Sequence, residues 1–277
     1  MIDILLNFAQ HAGKVMMEMQ QKARSLGNKD AFIGSIVTEA DIKVSDMFMQ
    51  TIADNFADLN YMIIDEEKIT QYGNNIFAKV ADTEYQFVID PIDGTIQYAH
   101  GHPLYGLTIG VYKNAKPIIG LIYMPSMREL LYYDGQQCFY VENAFTPEAH
   151  KIEIKPHQKI TSPIIFGHFW RWQVTEKFSI SNTLFLNYFS AVSQTMYTLI
   201  GKAKAYAMYL HLWDIAGAVP IAQYLGFKIF EYGTGRVYDA ISEEYFTTGM
   251  DTKNSCILCY PEDFAEISTM LTPKDGI

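Results

Sequence analysis

Residues 88–95 read VIDPIDGT: two carboxylates, Asp90 and Asp93, sit three positions apart at the end of an apolar run, with Pro91 between them and Gly94-Thr95 behind. Carboxylate oxygens are the ligands that hard cations prefer. Mg²⁺ takes one or two per ion and leaves its other positions to water and substrate phosphate. Two metal ions a few Å apart need carboxylates that can bridge them. Pro91 stiffens the backbone between the two acids, which makes the Ile92 carbonyl a further candidate ligand. Gly94 lets the chain pass close to a phosphate, and Thr95 is placed to open a short helix whose N–H groups favour an anion. The segment reads as half of a metal-assisted phosphatase site.

Three other acidic groups, each at a strand end or helix start, could supply the other half. Asp65-Glu66-Glu67 follows the short apolar run YMIID, Asp214 follows Trp213 at the head of IAGAVPIAQYL, and Asp41 lies three residues after Thr38. Each alone also has a plain structural reading. Asp-Gly is an ordinary turn signal, Glu66-Glu67-Lys68 reads as a solvated loop, Asp214 as a helix N-cap, and Thr38 with Asp41 as a helix cap. It is their combination that points to metal chemistry.

The elements that must hold these residues can be read from periodicity. Leu5, Leu6, Ala9, Ala12, Met16 and Met19 recur at helical spacing within a predicted helix over 3–25. Residues 27–35 read as a loop. A second helix is predicted over 40–58, with Ile42, Val44, Met47, Phe48, Ile52 and Phe56 on its apolar face. Strands follow at 61–65 and 86–90. LYGLTIGVY, KPIIGLIYM, ELLYYD and CFYVE, separated by Asn-Ala, Pro-Ser and Asp-Gly, predict an antiparallel meander over 104–141. Beyond 160 the reading is strand SPIIFGHF, a helix from about 171, strand TLFLNYF, a helix around 190–201, strand KAYAMYL, a helix at 212–225 and strand FKIFEY. This order predicts α+β layers of helix and sheet, in one phosphatase domain with lobes at about 1–145 and about 146–277.

The chain has 277 residues and a net charge of -10, which argues against a phosphate-backbone binder and so against nucleic acid as a partner. It suits a protein that handles anions through bound cations. The three cysteines, Cys138, Cys256 and Cys259, suit a reducing compartment. Cys256 and Cys259 form a lone CxxC inside the strand-like run SCILCY, where residues three apart face opposite ways, so they read as packing residues. No run approaches the ~20 apolar residues of a membrane span. The N-terminal stretch, interrupted by polar residues, reads as a packing helix and not a leader. A cytoplasmic protein is expected.

These motifs together resemble the inositol monophosphatase superfamily of Mg²⁺-dependent, lithium-sensitive phosphatases. Asp90-Pro91-Ile92-Asp93-Gly94-Thr95 matches its D-P-[IL]-D-G-T signature. Trp213-Asp214-Ile215-Ala216-Gly217-Ala218 is similar to its W-D-x-A-[AG]. Val37-Thr38-Glu39-Ala40-Asp41 matches V-T-x-x-D, and Asp65-Glu66-Glu67 matches G-E-E with Asp for Gly. Order and spacing agree along the whole chain. The resemblance implies the layered α/β sandwich of the inositol monophosphatase and fructose-1,6-bisphosphatase type, two or three Mg²⁺ ions per site, and a homodimer. It implies that Glu66, Asp90 and the Ile92 carbonyl hold a first metal and that Asp90, Asp93 and Asp214 hold a second. Thr95, bonded to Asp41, would activate the attacking water near Glu66 and the first metal. The Gly94 and Thr95 N–H groups would cradle the phosphate, with Asp93 and Asp214 beside the substrate. No phosphoenzyme is implied, in keeping with a chain that offers no obvious activated nucleophile.

Tyr98-Ala99-His100-Gly101-His102-Pro103 is similar to the run found in inositol and sugar phosphatases; His100 and His102 read as rim residues, since an oxygen-rich site prefers hard cations to imidazole. Departures lie further on. The G-[ST]-A-A stretch reads Tyr188-Phe189-Ser190-Ala191, with aromatic bulk in place of Gly-Ser. G-x-A-D-A-Y reads Gly201-Lys202-Ala203-Lys204-Ala205-Tyr206, and Ala207 stands where inositol-cleaving members carry Glu. Lys202 and Lys204 read as strand-end charges, with a second-phosphate contact as the alternative. The expected function is Mg²⁺-dependent hydrolysis of an inositol or sugar phosphate. The alternatives are a 3'(2'),5'-bisphosphate nucleotidase, a fructose-1,6-bisphosphatase, and a non-catalytic binding homologue. The intact acidic set argues against the last.

Overall fold

The computed structural model describes residues 1–20, 25–28, 36–168, 171–174 and 183–274, with backbone alone at 25–28 and 36–38. Helix α1 (Ile2–Gln20) leads to the short ladder of β1 (Ser25–Asn28) and β2 (Ile36–Thr38). Helix α2 (Glu39–Phe56) follows, then β3 (Tyr61–Asp65), a 3₁₀ turn over Glu66–Gln71, α3 (Ile76–Asp82), β4 (Tyr85–Asp93) and the one-turn helix α4 (Thr95–Ala99). The meander comes next: β5 (Gly106–Lys113), β6 (Lys116–Met124), β7 (Glu129–Tyr133), β8 (Cys138–Glu142) and β9 (His150–Ile154). Strands β3 to β9 form one sheet in sequence order; β3 and β4 are parallel and every later pair is antiparallel. At the β5–β6 hairpin Asn114 and Ala115 both take positive φ, 50° and 62°, as the tight hairpin turns that match strand twist require.

The rest of the chain builds a second sheet. Its elements are β10 (Ile164–Gly167), β11 (Trp172–Val174), β12 (Leu184–Leu186), α5 (Ala191–Leu199), β13 (Ala205–Met208), α6 (Leu212–Ile215), α7 (Ala218–Leu225), β14 (Lys228–Glu231), β15 (Cys256–Cys259), α8 (Phe264–Met270) and β16 (Leu271–Pro273). The second sheet runs β12-β10-β13-β15-β14, parallel on the β12-β10-β13 side and antiparallel beyond, while β11 pairs with β16 outside it.

Five layers result, with apolar cores between them. Leu5, Ala9, Met16, Val44, Phe48 and Ile52 from α1 and α2 pack on Phe87, Ile89, Ile109 and Leu121 of the large sheet. The sheet's other face carries Met62, Ile64 and Val88 toward Met196, Ile215, Val219 and Ile221 of α5, α6 and α7, and on to Tyr206 and Leu258 of the second sheet. Ile165, Ala207 and Ile257 pack on Ile267 and Met270 of α8. A sheet covered on both faces needs both faces apolar, which is why β4 is buried from Gln86 to Asp93 and reads as a near-continuous apolar run. Cys256 belongs to one core and Cys259 to the next, and both thiols are buried and unpaired.

The first helix, the meander and most strands stand where periodicity puts them. Three expectations are corrected. The helix expected from about 171 is strand β11 over Trp172–Val174, held by β16 from the far end of the chain; no local period reports such a partner, and 175–182 lie outside the described residues. The single helix expected over 212–225 is two, broken at Ala216-Gly217. Ile42, expected on the buried face of α2, is 38% exposed. Strand β9 had no expectation at all. The loop reading of 27–35 falls mostly outside the described residues, but 27 and 28 belong to β1, and the helix expected over 3–25 is described only to Gln20, with Ser25 already in that strand.

Candidate metal centre

The site is built where β4 ends. Between Asp90 and Asp93 the register against β5 slips, so that Asp90 faces Thr108 and Asp93 faces Gly106. The extra residue is a bulge, which re-aims the following side chain, and it falls within Pro91-Ile92, where the proline has no N–H to lose. The Ile92 N–H donates to Asp90 Oδ1 at 3.0 Å, closing the turn on the carboxylate itself. Gly94 then takes φ +81°; a Cβ there would also lie 2.9 Å from the Leu104 carbonyl and 3.2 Å from the Ser190 Cβ. Glycine is needed on both counts.

Asp214 arrives from the other layer. Its helix is seated by close backbone contact: a Cβ on Gly110 would lie 2.3 Å from the Ala216 carbonyl, and one on Gly120 2.1 Å from the Gly217 carbonyl. The Gly217 N–H donates to Thr108 Oγ1 at 3.1 Å and the Tyr112 hydroxyl to the Ala216 carbonyl at 3.1 Å. The break between α6 and α7 therefore rests directly on the sheet next to the strand end that carries Asp90. One carboxylate oxygen from each of Asp90, Asp93 and Asp214 lies within 4.8 Å of the other two.

The electrostatics are those of like charges forced together. Burial, then the charges of Glu66, Asp93, Asp214 and Asp41, push the Asp90 pKa well above the carboxylate range. Burial, then Asp214, pushes Asp93 up to about 7, even though three hydrogen bonds pull the other way. Those bonds come from Ser190 Oγ at 2.6 Å, the Val192 N–H at 2.8 Å and the Ala191 N–H at 3.1 Å. Each buried charge here is costly unless a cation balances it. An all-oxygen, multiply charged donor set fits Mg²⁺.

The expected residues are placed as follows. Glu66 heads the 3₁₀ turn, which Asp65 caps by accepting the Glu67 N–H at 2.9 Å and the Ser45 hydroxyl at 2.7 Å. Asp in place of Gly in that segment is thus a cap. Asp41 is buried and near enough to act on Asp90; the Thr38 side chain lies outside the described residues. The Thr95 hydroxyl donates to the Ile92 carbonyl at 3.1 Å, so the implied bond to Asp41 would require it to turn. His100 and His102 are exposed. Lys202 pairs with Glu129 at 3.4 Å, and Lys204 with Asp263 and Glu266 at 3.1 and 3.0 Å, which supports the strand-end reading of both.

Four neighbours carry no sequence expectation. Ser190, quoted only as a departure, caps α5 while it holds Asp93. His211 donates its N–H to Asp214 Oδ2 at 2.7 Å and sets its ring on Asp251 at 3.0 Å and flat on Trp213 at 4.6 Å. Burial lowers the His211 pKa, but the hydrogen bonds and charges of Asp214 and Asp251 outweigh it and hold the pKa up at about 10. Tyr206 lies behind the centre, its pKa raised by burial and then by Asp93 and Asp214. His168, beside it, is pushed down to about 4 by burial. His168 follows the end of a parallel strand, the place where open α/β sheets put ligand contacts, and that position is the signal that could have found it.

Residues 1–259 match the sequence profile of the inositol monophosphatase family. The chain belongs to that family. Inositol monophosphatase 1 of Sus scrofa is 25% identical over 253 residues, spanning 87% of this chain and 86% of its own length. A Thermotoga maritima protein described as fructose-1,6-bisphosphatase/inositol-1-monophosphatase is 27% identical over 155 residues, 53% of this chain and 56% of its own. Among solved structures, an inositol monophosphatase of Thermotoga maritima superposes with TM-score 0.70 at 20% identity, covering 97% of this chain and 95% of that one. A structure described as IMPase/NADP phosphatase complexed with Mg²⁺ and phosphate gives 0.74 at 16%, covering 97% and 93%. The fold is the mixed α+β fold of these inositol monophosphatases, and the chain is a phosphoric monoester hydrolase of the family.

Proposed function

We propose that the chain hydrolyses an inositol or sugar phosphate by direct attack of water at phosphorus, with Mg²⁺ held by Glu66, Asp90, the Ile92 carbonyl, Asp93 and Asp214. The observation that carries the reading is the convergence of Asp90, Asp93 and Asp214 within 4.8 Å, with Asp90 and Asp93 buried. When bound, Mg²⁺ neutralises these acids and the charge that develops on phosphoryl and leaving oxygens. Asp41 and Thr95 orient the water and take its proton, the Thr95 hydroxyl turning from the Ile92 carbonyl to do so. The N–H groups of Gly94 and Thr95, at the start of α4, receive the phosphoryl oxygens. Ser190 and the N–H groups of Ala191 and Val192 keep Asp93 in one orientation, and the His211 N–H does the same for Asp214.

In this reading two or three Mg²⁺ ions serve each site, Li⁺ inhibits, and the protein is a cytoplasmic homodimer of one catalytic domain per chain; the likeness to the family supports these points. A second reading, a nucleotide phosphate as substrate, is favoured by one residue: Phe189, next to Ser190, is 61% exposed. The experiment is phosphate release with Mg²⁺, with and without Li⁺, from inositol-1-phosphate, fructose-1,6-bisphosphate, glycerol-2-phosphate and adenosine 3',5'-bisphosphate. Preference for the first two supports the main reading, preference for the last supports the second, and release from none overturns both.

A further inference from the structure

A cleft of about 500 Å³ opens between α1 and the β6–β7 and β8–β9 connections, a size that suits a small molecule. Gln10, Lys14 and Met17 line it at helical spacing from α1, Tyr123 and Arg128 from the end of β6 and the turn beyond, and Phe145 from the last connection. The cleft shares no residue with the metal centre. In a chain of net charge -10, no carboxylate stands among its described lining residues.

Tyr123 is the fixed part of this cleft. It is 3% exposed, and its ring is held on two sides. A Cβ on Gly13 of α1 would lie 2.4 Å from Tyr123 Cε1, and the Phe145 ring meets the Tyr123 ring edge-on at 5.1 Å. Its hydroxyl nevertheless makes no hydrogen bond among the described residues and faces the cleft without a protein partner. A tyrosine hydroxyl this deep ordinarily has a partner, since leaving it without one costs free energy. Phenylalanine would fill the same space without that cost.

Arg128 stands beside it. Burial, then Tyr105, pushes the Tyr123 pKa up to about 12, while the Arg128 charge pulls the other way, as a guanidinium near the hydroxyl must. Among the described residues the Arg128 side chain makes no ion pair and no hydrogen bond. The acid next to it in sequence, Glu129, is taken by the hydroxyls of Tyr140 and Tyr197 and by Lys202. Lys14 has only Glu18, at 3.9 Å with both ends exposed, a pair that water screens. The backbone points the same way. Arg128 and Phe145 take φ of 54° and 61°, a region that favours glycine, and the Ala144 N–H ties the two turns together by donating to the Arg128 carbonyl at 2.8 Å. Two large side chains are thus kept at strained positions, and both line the cleft. Strain of this kind gathers at ligand sites.

A guanidinium, an ammonium group, the Tyr123 hydroxyl and the Gln10 amide offer more donors than the two oxygens of a carboxylate can use. They match a phosphate, with its several acceptor oxygens and its double charge. Met17 and Phe145 add an apolar wall for whatever the phosphate is attached to. We propose that the cleft between α1 and the β6–β7 turn is a second phosphate-binding site, built on Tyr123, Arg128 and Lys14, for a small organic phosphate or for free phosphate.

The test is calorimetric titration of inorganic phosphate and of phenyl phosphate into the metal-free full chain, in which the carboxylate cluster repels anions. Two variants carry it. Arg128→Gly removes the guanidinium and suits the left-handed backbone, and Tyr123→Phe removes the hydroxyl alone. Phosphate binding should be measurable in the wild type, about tenfold weaker in Arg128→Gly and about threefold weaker in Tyr123→Phe, the losses of a charge-assisted and a neutral hydrogen bond. Without phosphate, neither variant should melt below the wild type. If Arg128→Gly does not fold, Tyr123→Phe decides alone. Equal phosphate affinity in wild type and variants, or none in the wild type, overturns the site. So does a lower melting temperature of phosphate-free Tyr123→Phe, which would give the hydroxyl a structural role instead. The source is read from the second probe. Phenyl phosphate binding about tenfold tighter than inorganic phosphate, with the same losses in the variants, names an organic phosphate. Equal binding of the two names free phosphate. Both results support the site.

Discussion

Two of the places where this protein buries carboxylates do so in opposite ways. Glu231, at the end of β14, is fully buried, yet every partner around it donates: Asn254 Nδ2 at 2.6 Å, Arg236 Nε at 3.2 Å and the Thr234 hydroxyl. Burial works to raise its pKa, but these donors and the Arg236 charge outweigh it and hold it below the usual range. Asp90, Asp93 and Asp214 lie within 4.8 Å of each other, and their mutual repulsion adds to the cost of burial. The first arrangement is complete without a ligand and serves the fold. The second is left in deficit by the chain's own atoms and is made whole by a cation. Burial alone does not mark a functional acid; the sign of its surroundings does.

The strongest way to break this comparison is Asp93→Asn. It should lower kcat/KM by roughly three orders of magnitude, since it removes a bridging ligand. It should also raise the melting temperature of the metal-free protein, because it relieves a repulsion. A lower melting temperature without metal would mean that Asp93 is structural, as Glu231 is. The converse variant, Glu231→Gln, should cost about 2 kcal/mol of stability, measured by denaturant titration, and leave Mg²⁺ affinity and kcat unchanged. Because the folded Glu231 pKa is depressed, its contribution is present above the unfolded-chain value and lost as pH falls through the folded one. The stability gap between wild type and Glu231→Gln should therefore narrow below about pH 4. A gap that widened in acid would contradict the paired state. Ser190→Ala removes one of the three groups that orient Asp93 and should weaken Mg²⁺ binding about tenfold by calorimetry, with little loss of fold.

The smallest effect concerns Phe189, which takes φ +55°, a region that favours glycine. Phe189→Gly should stabilise the chain by up to about 1 kcal/mol. If it instead raises KM for a nucleotide phosphate and not for inositol-1-phosphate, the exposed ring serves the second substrate reading.

The legible parts of the site are those whose geometry is local. VIDPIDGT announces a stiff turn between two acids and a helix opening at Thr95, and the helix starts there; the bulge and the left-handed φ of Gly94 are what the structure adds. WDIAGA announces an acid ahead of a helix, but not that the helix breaks at Ala216-Gly217 to rest on Gly110 and Gly120. Ser190 and Asp93 are 97 positions apart, and His211 meets Asp251 across 40. No period or motif reports such pairings. Strand β11 is illegible for the same reason, since its partner is about a hundred residues away.

The amino-acid order by itself determined the family, the acidic set and most of the helices and strands, because hydrophobic period and turn chemistry act between near neighbours. Tertiary structure alone decided that three acids from two layers share one small volume and that a serine and two backbone N–H groups fix one of them. Those outcomes depend on how two sheets stack across a common core, and stacking is settled by packing between distant residues and not by any short run of them.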